Sequence, residues 1–246
     1  LGDDLMVYAS ATRGFKSGGY NITGTEPAYD PEDIWAYEVG LKSSLFGGLA
    51  QFNSAVFYYD YKDLQVQSFT PQGTLDITNA ADSTIVGLEF EITASPVEGM
   101  QIYAAASYLD ATYDDYTTAR ATAPDVRVDL SDNQLNFAPE FMFTVAGDYR
   151  FAVSNGLEAS VQADVRWQDQ SYFSAFNDVN FGQSSYALVN AQVSLMPTSE
   201  KWKLSVYGRN LADKDYTVGA YDFSSTGVSN FITEPRVFGL RLEYHH

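Results

Sequence analysis

Strict alternation of apolar and polar residues over segments of about ten residues is the feature that most restricts how this chain folds. Only a β-strand puts successive side chains on opposite faces, and about ten residues is the length a tilted strand needs to cross a bilayer. The clearest segment runs from Leu157 to Gln168: Leu157, Ala159, Val161, Ala163, Val165 and Trp167 fall on one face, and Glu158, Ser160, Gln162, Asp164, Arg166 and Gln168 on the other. A half-buried strand of a soluble sheet alternates too, but seldom for so long without a break. The pattern returns at Trp35–Lys42, Val86–Thr93, Phe141–Phe151 and Phe238–Tyr244. Weaker strands at Leu5–Thr12, Ala50–Tyr61, Gln101–Leu109, Tyr186–Leu195 and Trp202–Leu211 bring the number to ten.

The connections alternate in length. Short ones lie at Ser43–Gly48, Ala94–Gly99, Ala152–Gly156 and Met196–Lys201, each with the Gly, Pro, Ser or Asn that a tight turn uses. Long ones lie near Lys16–Asp33, Lys62–Asp82, Asp110–Asn136, Ser171–Ser185 and Ala212–Glu234. Short periplasmic turns and long outer loops are the pattern of a bacterial outer-membrane barrel. The predicted class is therefore all-β, a transmembrane antiparallel β-barrel wall, with both chain ends on the short-turn side. In hydrocarbon every backbone N–H and C=O must be paired, so such a sheet closes on itself. Its apolar face meets lipid, and Glu38, Lys42, Glu89, Glu91, Arg150, Asp164, Arg166 and Arg241 must face the lumen. Trp35, Trp167 and Trp202 suit headgroup-level girdles as well as ordinary strand positions.

Composition narrows the function. The chain has 246 residues and no cysteine, which removes disulfide and thiolate chemistry. Its only histidines, His245 and His246, stand at the extreme C-terminus, where a tag remnant or frayed end accounts for them. A net charge of −18 excludes nucleic acid as a partner, because phosphate binding needs clustered Lys and Arg. Aromatic residues make up 15%, in keeping with barrel girdles. No signal peptide is visible and the chain opens Leu-Gly-Asp-Asp, so it reads as a fragment whose export signal lies upstream. Serines lack a histidine partner, and the Glu89/Glu91 pair sits on a strand whose polar face explains both. Asp110, Asp114, Asp115, Asp125, Asp129 and Asp132 could offer oxygen ligands to Ca²⁺, but their spacing matches no calcium loop, and a solvated loop accounts for them. No catalytic residue, metal site or cofactor is expected.

The long connections are rich in aromatic residues. Tyr113 and Tyr116 lie in one, Tyr172, Phe173, Phe176 and Phe181 in the next, and Tyr221, Phe223 and Phe231 in the last. Such rings can stack on catecholate, sugar or corrin faces, or can pack the loops against one another. As a group they are the candidate ligand contacts, with Arg120 and Arg127 as candidate anion partners.

Several segments resemble the TonB-dependent receptors of bacterial outer membranes. Tyr8-Ala9-Ser10-Ala11-Thr12-Arg13-Gly14-Phe15-Lys16-Ser17-Gly18-Gly19-Tyr20-Asn21 is similar to a barrel segment of that family, as are Tyr37-Glu38-Val39-Gly40-Leu41-Lys42 with Phe57–Gln65, and Gly87-Leu88-Glu89-Phe90-Glu91. Gly208-Arg209-Asn210-Leu211-Ala212-Asp213-Lys214-Asp215-Tyr216, then Glu234-Pro235-Arg236 and a last amphipathic strand, resemble its C-terminal end. These motifs read as barrel architecture rather than ligand contacts: Gly40 is a small residue between opposite charges, Asn210 and Asp213 can cap backbone groups, and Pro235 stands where no ladder donor is needed.

The resemblance implies a barrel of about 22 strands, plugged by an N-terminal domain, that imports a siderophore, vitamin, saccharide or metal complex with energy delivered through TonB. Residues 1–246 would be the C-terminal part of that barrel, without plug or TonB box. Implied partners are outer-membrane lipid and lipopolysaccharide, the protein's own plug and remaining strands, the TonB complex and a small nutrient. The family usually ends in an aromatic residue, whereas position 246 is His. The alternatives are a passive porin or surface adhesin, a ten-stranded barrel protease, which the lack of an internal histidine disfavours, and a soluble β-sandwich.

Overall fold

A computed structural model of the chain describes residues 4–22, 28–69, 75–120, 123–223 and 227–245. Its main sheet is an antiparallel meander whose ten successive strands each pair with the next. These are β1 (Leu5–Lys16), β2 (Glu32–Leu45), β3 (Ala50–Phe69), β4 (Leu75–Ala94), β5 (Met100–Arg120), β6 (Phe141–Ser154), β7 (Leu157–Gln168), β8 (Tyr186–Pro197), β9 (Trp202–Arg209) and β10 (Val237–Tyr244). Among the described residues β1 and β10 do not pair with each other, so the sheet is an open stretch of wall.

Register aligns the apolar residues into rows across strands. One row runs Ala9, Val39, Val56, Leu88, Tyr108, Phe141 from β1 to β6. Another runs Tyr149, Val161, Val193, Val206, Leu240 from β6 to β10. Trp35, Val39, Val56, Phe143, Val193, Val206 and Leu240 all stand exposed on this face. In water such a surface would be an aggregation hazard; against hydrocarbon it is the required one.

The opposite parity carries the charges. Lys42, Asn53, Glu91, Ala105, Thr144 and Arg166 form one row from β2 to β7. A concavity of about 940 Å³ on this side is lined by Tyr8, Lys42, Glu89, Glu91, Asp164 and Arg166, among others. The charged face is the luminal one, as the alternation predicted.

The short turns are tight. Asn155 and Gly156 alone join β6 to β7, with Gly156 at φ 85°, the conformation that Asn-Gly turns favour. At Gly99 (φ 77°) a Cβ would fall onto the carbonyl oxygen of Arg150, so that turn admits no side chain.

On the other side the strands exceed their predicted ends. β3 reaches Phe69, β4 starts at Leu75 and β5 runs to Arg120, with short register shifts near Tyr61–Leu64 and Asp82–Ser83. Alternation could not reveal these extensions: above the membrane both faces are wet, and each bulge inverts the parity. The exit from lipid is marked by the polar row Arg13, Trp35, Asp60, Thr84, Thr112 on the outer face. Above it four short ribbons lie outside the main path: Gly19–Tyr20 with Ala28–Tyr29, Ala123–Asp129 on the top of β5, Ser171–Tyr172 with Gly182–Gln183, and Thr217–Phe223 with Gly227–Ile232. None was legible as a strand from alternation.

Candidate functional site: the lumen wall and its outer crown

The lumen wall is built from short polar contacts between neighbouring strands. Tyr8 on β1 lies over Gly40 on β2, where a Cβ would fall inside its ring, and donates its hydroxyl to Glu38 Oε1 at 2.5 Å. Lys42 Nζ sits 5.8 Å from the centre of the same ring. The place of Gly40 between opposite charges is thus filled by an aromatic from the preceding strand, a relationship that spacing alone did not disclose. The arrangement recurs: Phe57 covers Gly87, and Tyr207 covers Gly239.

Farther along the wall Asn53 Nδ2 donates to Glu91 Oε1 at 3.1 Å, and Asn190 Nδ2 to Asp164 Oδ2 at 2.7 Å. Near the short-turn end of the wall Arg150 pairs with Glu158 and, at 2.8 Å, with Glu200. Ser194 and Ser205, both fully enclosed between β8 and β9, hydrogen-bond each other at 2.9 Å. The cavity side of β2–β7 therefore presents Glu38, Glu89, Glu91 and Asp164 against Lys42 and Arg166, a surface with more acidic than basic residues.

Above the membrane, three connections are locked into a crown. Tyr113 and Tyr116 of β5 are 3% exposed and pack with Val66, Ala81, Leu130 and Ala175 in a small apolar core. Their ring centres are 5.0 Å apart. Burial pushes both phenols above their ordinary range, so they remain neutral hydrogen-bonding groups at physiological pH.

Asn177 replaces a missing strand partner: its Oδ1 accepts from Gln134 N at 2.7 Å and its Nδ2 donates to Gln134 O at 2.9 Å. Asn133 Nδ2 reaches Ala175 O, and Phe137 N reaches Tyr172 O. Phe173 is buried against Phe137 at 5.3 Å and meets Phe181 edge-on at 6.2 Å. Arg120 lies over the Phe176 ring at 4.1 Å and pairs with Asp178 at 2.5 Å. Arg127 donates to Thr117 O at 3.0 Å. A second clamp joins the first two outer connections: Asn79 Nδ2 donates to Asp30 O and Asp63 O, Gln65 Nε2 to Ser17 O and Asp30 O, and Ile77 N donates to Asn21 Oδ1.

The candidate contact residues thus divide. Tyr113, Tyr116 and Phe173 lie inside the crown, while Tyr172, Phe176 and the cation Arg120 are half-buried at its surface and Arg127 is exposed. The backbone of Tyr221 and Phe223 belongs to the Thr217–Phe223 ribbon, but their side chains lie outside the described ones. His246 is likewise outside the described residues. The amide clamps Asn177, Asn133, Asn79 and Gln65 were missed from the sequence, where a loop Asn that binds backbone looks like any solvated one. Of the loop aspartates, Asp129 accepts from Ser131 N and Oγ, and Asp114 from Thr84. Among the described residues no three His, Asp or Glu side chains converge on a metal-sized gap.

The C-terminal motifs meet in space. Asn210, at φ 49°, exchanges hydrogen bonds with the backbone of Lys214, and Asp213 accepts from Arg236 N at 3.1 Å while pairing with its guanidinium at 3.2 Å. The capping expected of Asn210 and Asp213 is present, and it ties residues 208–216 to the Glu-Pro-Arg segment.

Comparison with known proteins follows the same lines. Residues 1–211 match the family model "TonB dependent receptor-like, beta-barrel". A ferric-pyoverdine receptor of Pseudomonas putida is 24% identical over 239 residues, covering 96% of this chain and 26% of that protein. A metal-pseudopaline receptor of Pseudomonas aeruginosa is 24% identical over 220 residues, covering 89% of this chain and 29% of the relative. Among solved structures, the ferric yersiniabactin uptake receptor of Yersinia pestis superposes with a TM-score of 0.81 at 21% identity, over 98% of this chain and 35% of that one. The ferripyoverdine receptor of Pseudomonas aeruginosa gives 0.69 at 20% identity, over 99% and 31%. The chain thus spans between a quarter and about a third of the proteins it resembles.

Proposed function

The chain belongs to the TonB-dependent receptor-like β-barrel family of outer-membrane proteins, and from that premise we propose that it forms the C-terminal part of the barrel of an active transporter. The transporter binds a scarce nutrient at its outer loops and imports it with energy delivered through TonB. The family is one of receptors and transporters rather than enzymes.

The observation that carries this reading is the combination of a wall apolar outside and charged inside with a crown of interlocked outer loops above the lumen. A lumen that only had to stay open would not need loops cross-tied by Asn177, Asn133 and Asn79. A receptor gains from it, because a pre-ordered binding surface spends less free energy on ordering when ligand arrives. Among nutrients, a metal chelate fits best: the relatives are named as receptors for ferric pyoverdine and metal-pseudopaline. Contact falls to the crown's surface rings, Tyr172 and Phe176, with Tyr221 and Phe223 on the neighbouring ribbon and Arg120 and Arg127 as anion partners. Tyr113, Tyr116 and Phe173 hold the surface in place from beneath.

In this reading the plug, the TonB box and the other wall strands lie in the rest of the protein. Lipid and lipopolysaccharide cover the outer face, and the TonB complex engages the part beyond this chain. The test is chelate uptake by the full-length protein in a receptor-null strain under iron limitation. Uptake that collapses with a protonophore or on loss of TonB is the expected result. Uptake indifferent to both would make the barrel a passive porin, and no uptake with surface binding retained would make it an adhesin.

A further inference from the structure

Two arginines on the last strands share one aromatic ring. In the register of β9 and β10, Arg209 faces Val237, Tyr207 faces Gly239 and Ser205 faces Arg241, all on the luminal parity. Gly239 offers no side chain, so the Tyr207 ring lies across it. That places the ring between two guanidiniums, Arg209 on the outer side and Arg241 on the periplasmic side, each 5.6 Å from its centre. Both arginines are exposed.

Among the described residues neither has a carboxylate within ion-pairing distance, as is also true of Lys42, Arg127, Arg166, Lys201, Lys203 and Lys214, whereas Arg13, Lys16, Lys62, Arg120, Arg150 and Arg236 each have one. What sets Arg209 and Arg241 apart is the ring they share. Scarcity of acid is not why they lack a carboxylate, since the chain carries 32 acidic residues against 14 Lys and Arg. The β8 residues beside them, Gln192 and Ser194, are neutral and bonded to each other at 3.2 Å. Glu243, the carboxylate on the same face of β10, stands opposite Lys203 instead.

We propose that Arg209, Tyr207 and Arg241 form an anion ladder on the lumen wall, which takes the carboxylate groups of an anionic metal chelate on its way inward. This deepens the transport reading and rests on it. The Tyr207 ring draws both guanidiniums to one place on the wall, and a guanidinium there can receive a carboxylate through two parallel hydrogen bonds. Carboxylate oxygens are hard donors suited to hard cations, so a chelate built with carboxylates carries the negative charge that such a pair of guanidiniums receives. Glu38, Glu89, Glu91 and Asp164 make the β2–β7 wall repel such a ligand and direct it to the β9–β10 side. Two rungs offset along the wall let one carboxylate be released as the next is held.

The experiment uses the full-length protein in detergent and titrates it calorimetrically with tricarballylate, a metal-free tricarboxylate, and with its neutral triamide. Tricarballylate should bind and the triamide should not, and the binding should fade as salt rises. Arg209→Gln with Arg241→Gln should weaken it about tenfold or more, since both charged hydrogen-bonding partners are lost. Arg209→Lys with Arg241→Lys should recover only part, because charge returns without the fork. Heat-modifiable migration identifies the folded variants, and Tyr207→Leu gives a separate reading should a double variant fail to fold.

No tricarballylate binding by the parent protein would mean that a carboxylate of its own barrel already closes the arginines, and the ladder would be wrong. Equal binding of triamide, or unchanged binding in the folded double variant, would overturn it too. Chelate uptake in the TonB-deficient strain reports on the transport reading separately: passive uptake together with arginine-dependent tricarballylate binding sinks that reading and keeps the ladder.

Discussion

The ring of Tyr8 fills the space above Gly40 on the adjacent strand so closely that a single methyl group at position 40 would enter it. The fit makes Gly40 a packing surface and holds the Tyr8 hydroxyl on Glu38. Gly40→Ala should therefore swing the ring away, break that hydrogen bond and destabilise the barrel by about 1–3 kcal/mol, the usual cost of overpacking. Denaturant midpoints of the full-length protein in detergent measure the effect. Tyr8→Ala combined with Gly40→Ala should cost less than the sum of the single changes; strict additivity would show that ring and glycine do not interact.

The facing of β7 gives a second prediction. Val165 lies between Val145 and Val189 on the lipid face, whereas Arg166 lines the luminal concavity. Val165→Arg should impair assembly by roughly 2–4 kcal/mol near the bilayer midplane, and Arg166→Leu should leave assembly intact. Equal yields of folded protein for the two variants would contradict the facing.

Orientation can be read on whole cells. Val179 is 73% exposed in the connection between β7 and β8, and Ser199 is exposed in the turn between β8 and β9. Cysteine at position 179 of the full-length receptor should react with an impermeant maleimide on intact cells, and cysteine at 199 only after lysis. The reverse pattern would invert the barrel.

Burial of Tyr113 and Tyr116 predicts an alkaline limit for the crown. Their folded pKa values are raised above the unfolded value of about 10. Such groups contribute stability that is fully present below the unfolded value and is lost as pH climbs through the folded one. The crown should stay ordered at neutral pH and loosen well above pH ~10, while these two phenols ionise last. Ultraviolet difference titration of the parent against Tyr113→Phe and Tyr116→Phe checks this. Loss of an early-titrating phenol in either variant would place that ring in water.

The crown's surface rings carry the ligand prediction. Tyr172→Ala with Phe176→Ala in the full-length receptor should weaken chelate binding about tenfold, the scale expected for losing aromatic anchors, with barrel migration unchanged. Phe173→Ala, which opens the packing against Phe137, should instead lower loop stability first. Undiminished affinity in the double variant would take this connection out of the binding surface.

The alternation in this sequence determined the wall. Leu157–Gln168 is a strand with the bounds its pattern predicted, the ten strands pair in chain order, and Asp164 and Arg166 face inward. This much is local because the solvent is different on the two faces: lipid on one side and water on the other leave a period-two imprint on every residue that crosses. What only the tertiary structure decided begins where that difference ends. Beyond Thr112 both faces of the sheet are wet, so nothing in the order of residues told Tyr113 and Tyr116, which are buried, from Tyr172 and Phe176, which are half exposed. Asn177 gave no sign that it would stand in for a strand across a separation of 43 residues. The glycines at 40 and 239 were visible, but the rings that cover them come from neighbouring strands. Those partners are fixed by register, which belongs to the assembled sheet and to no single segment of it.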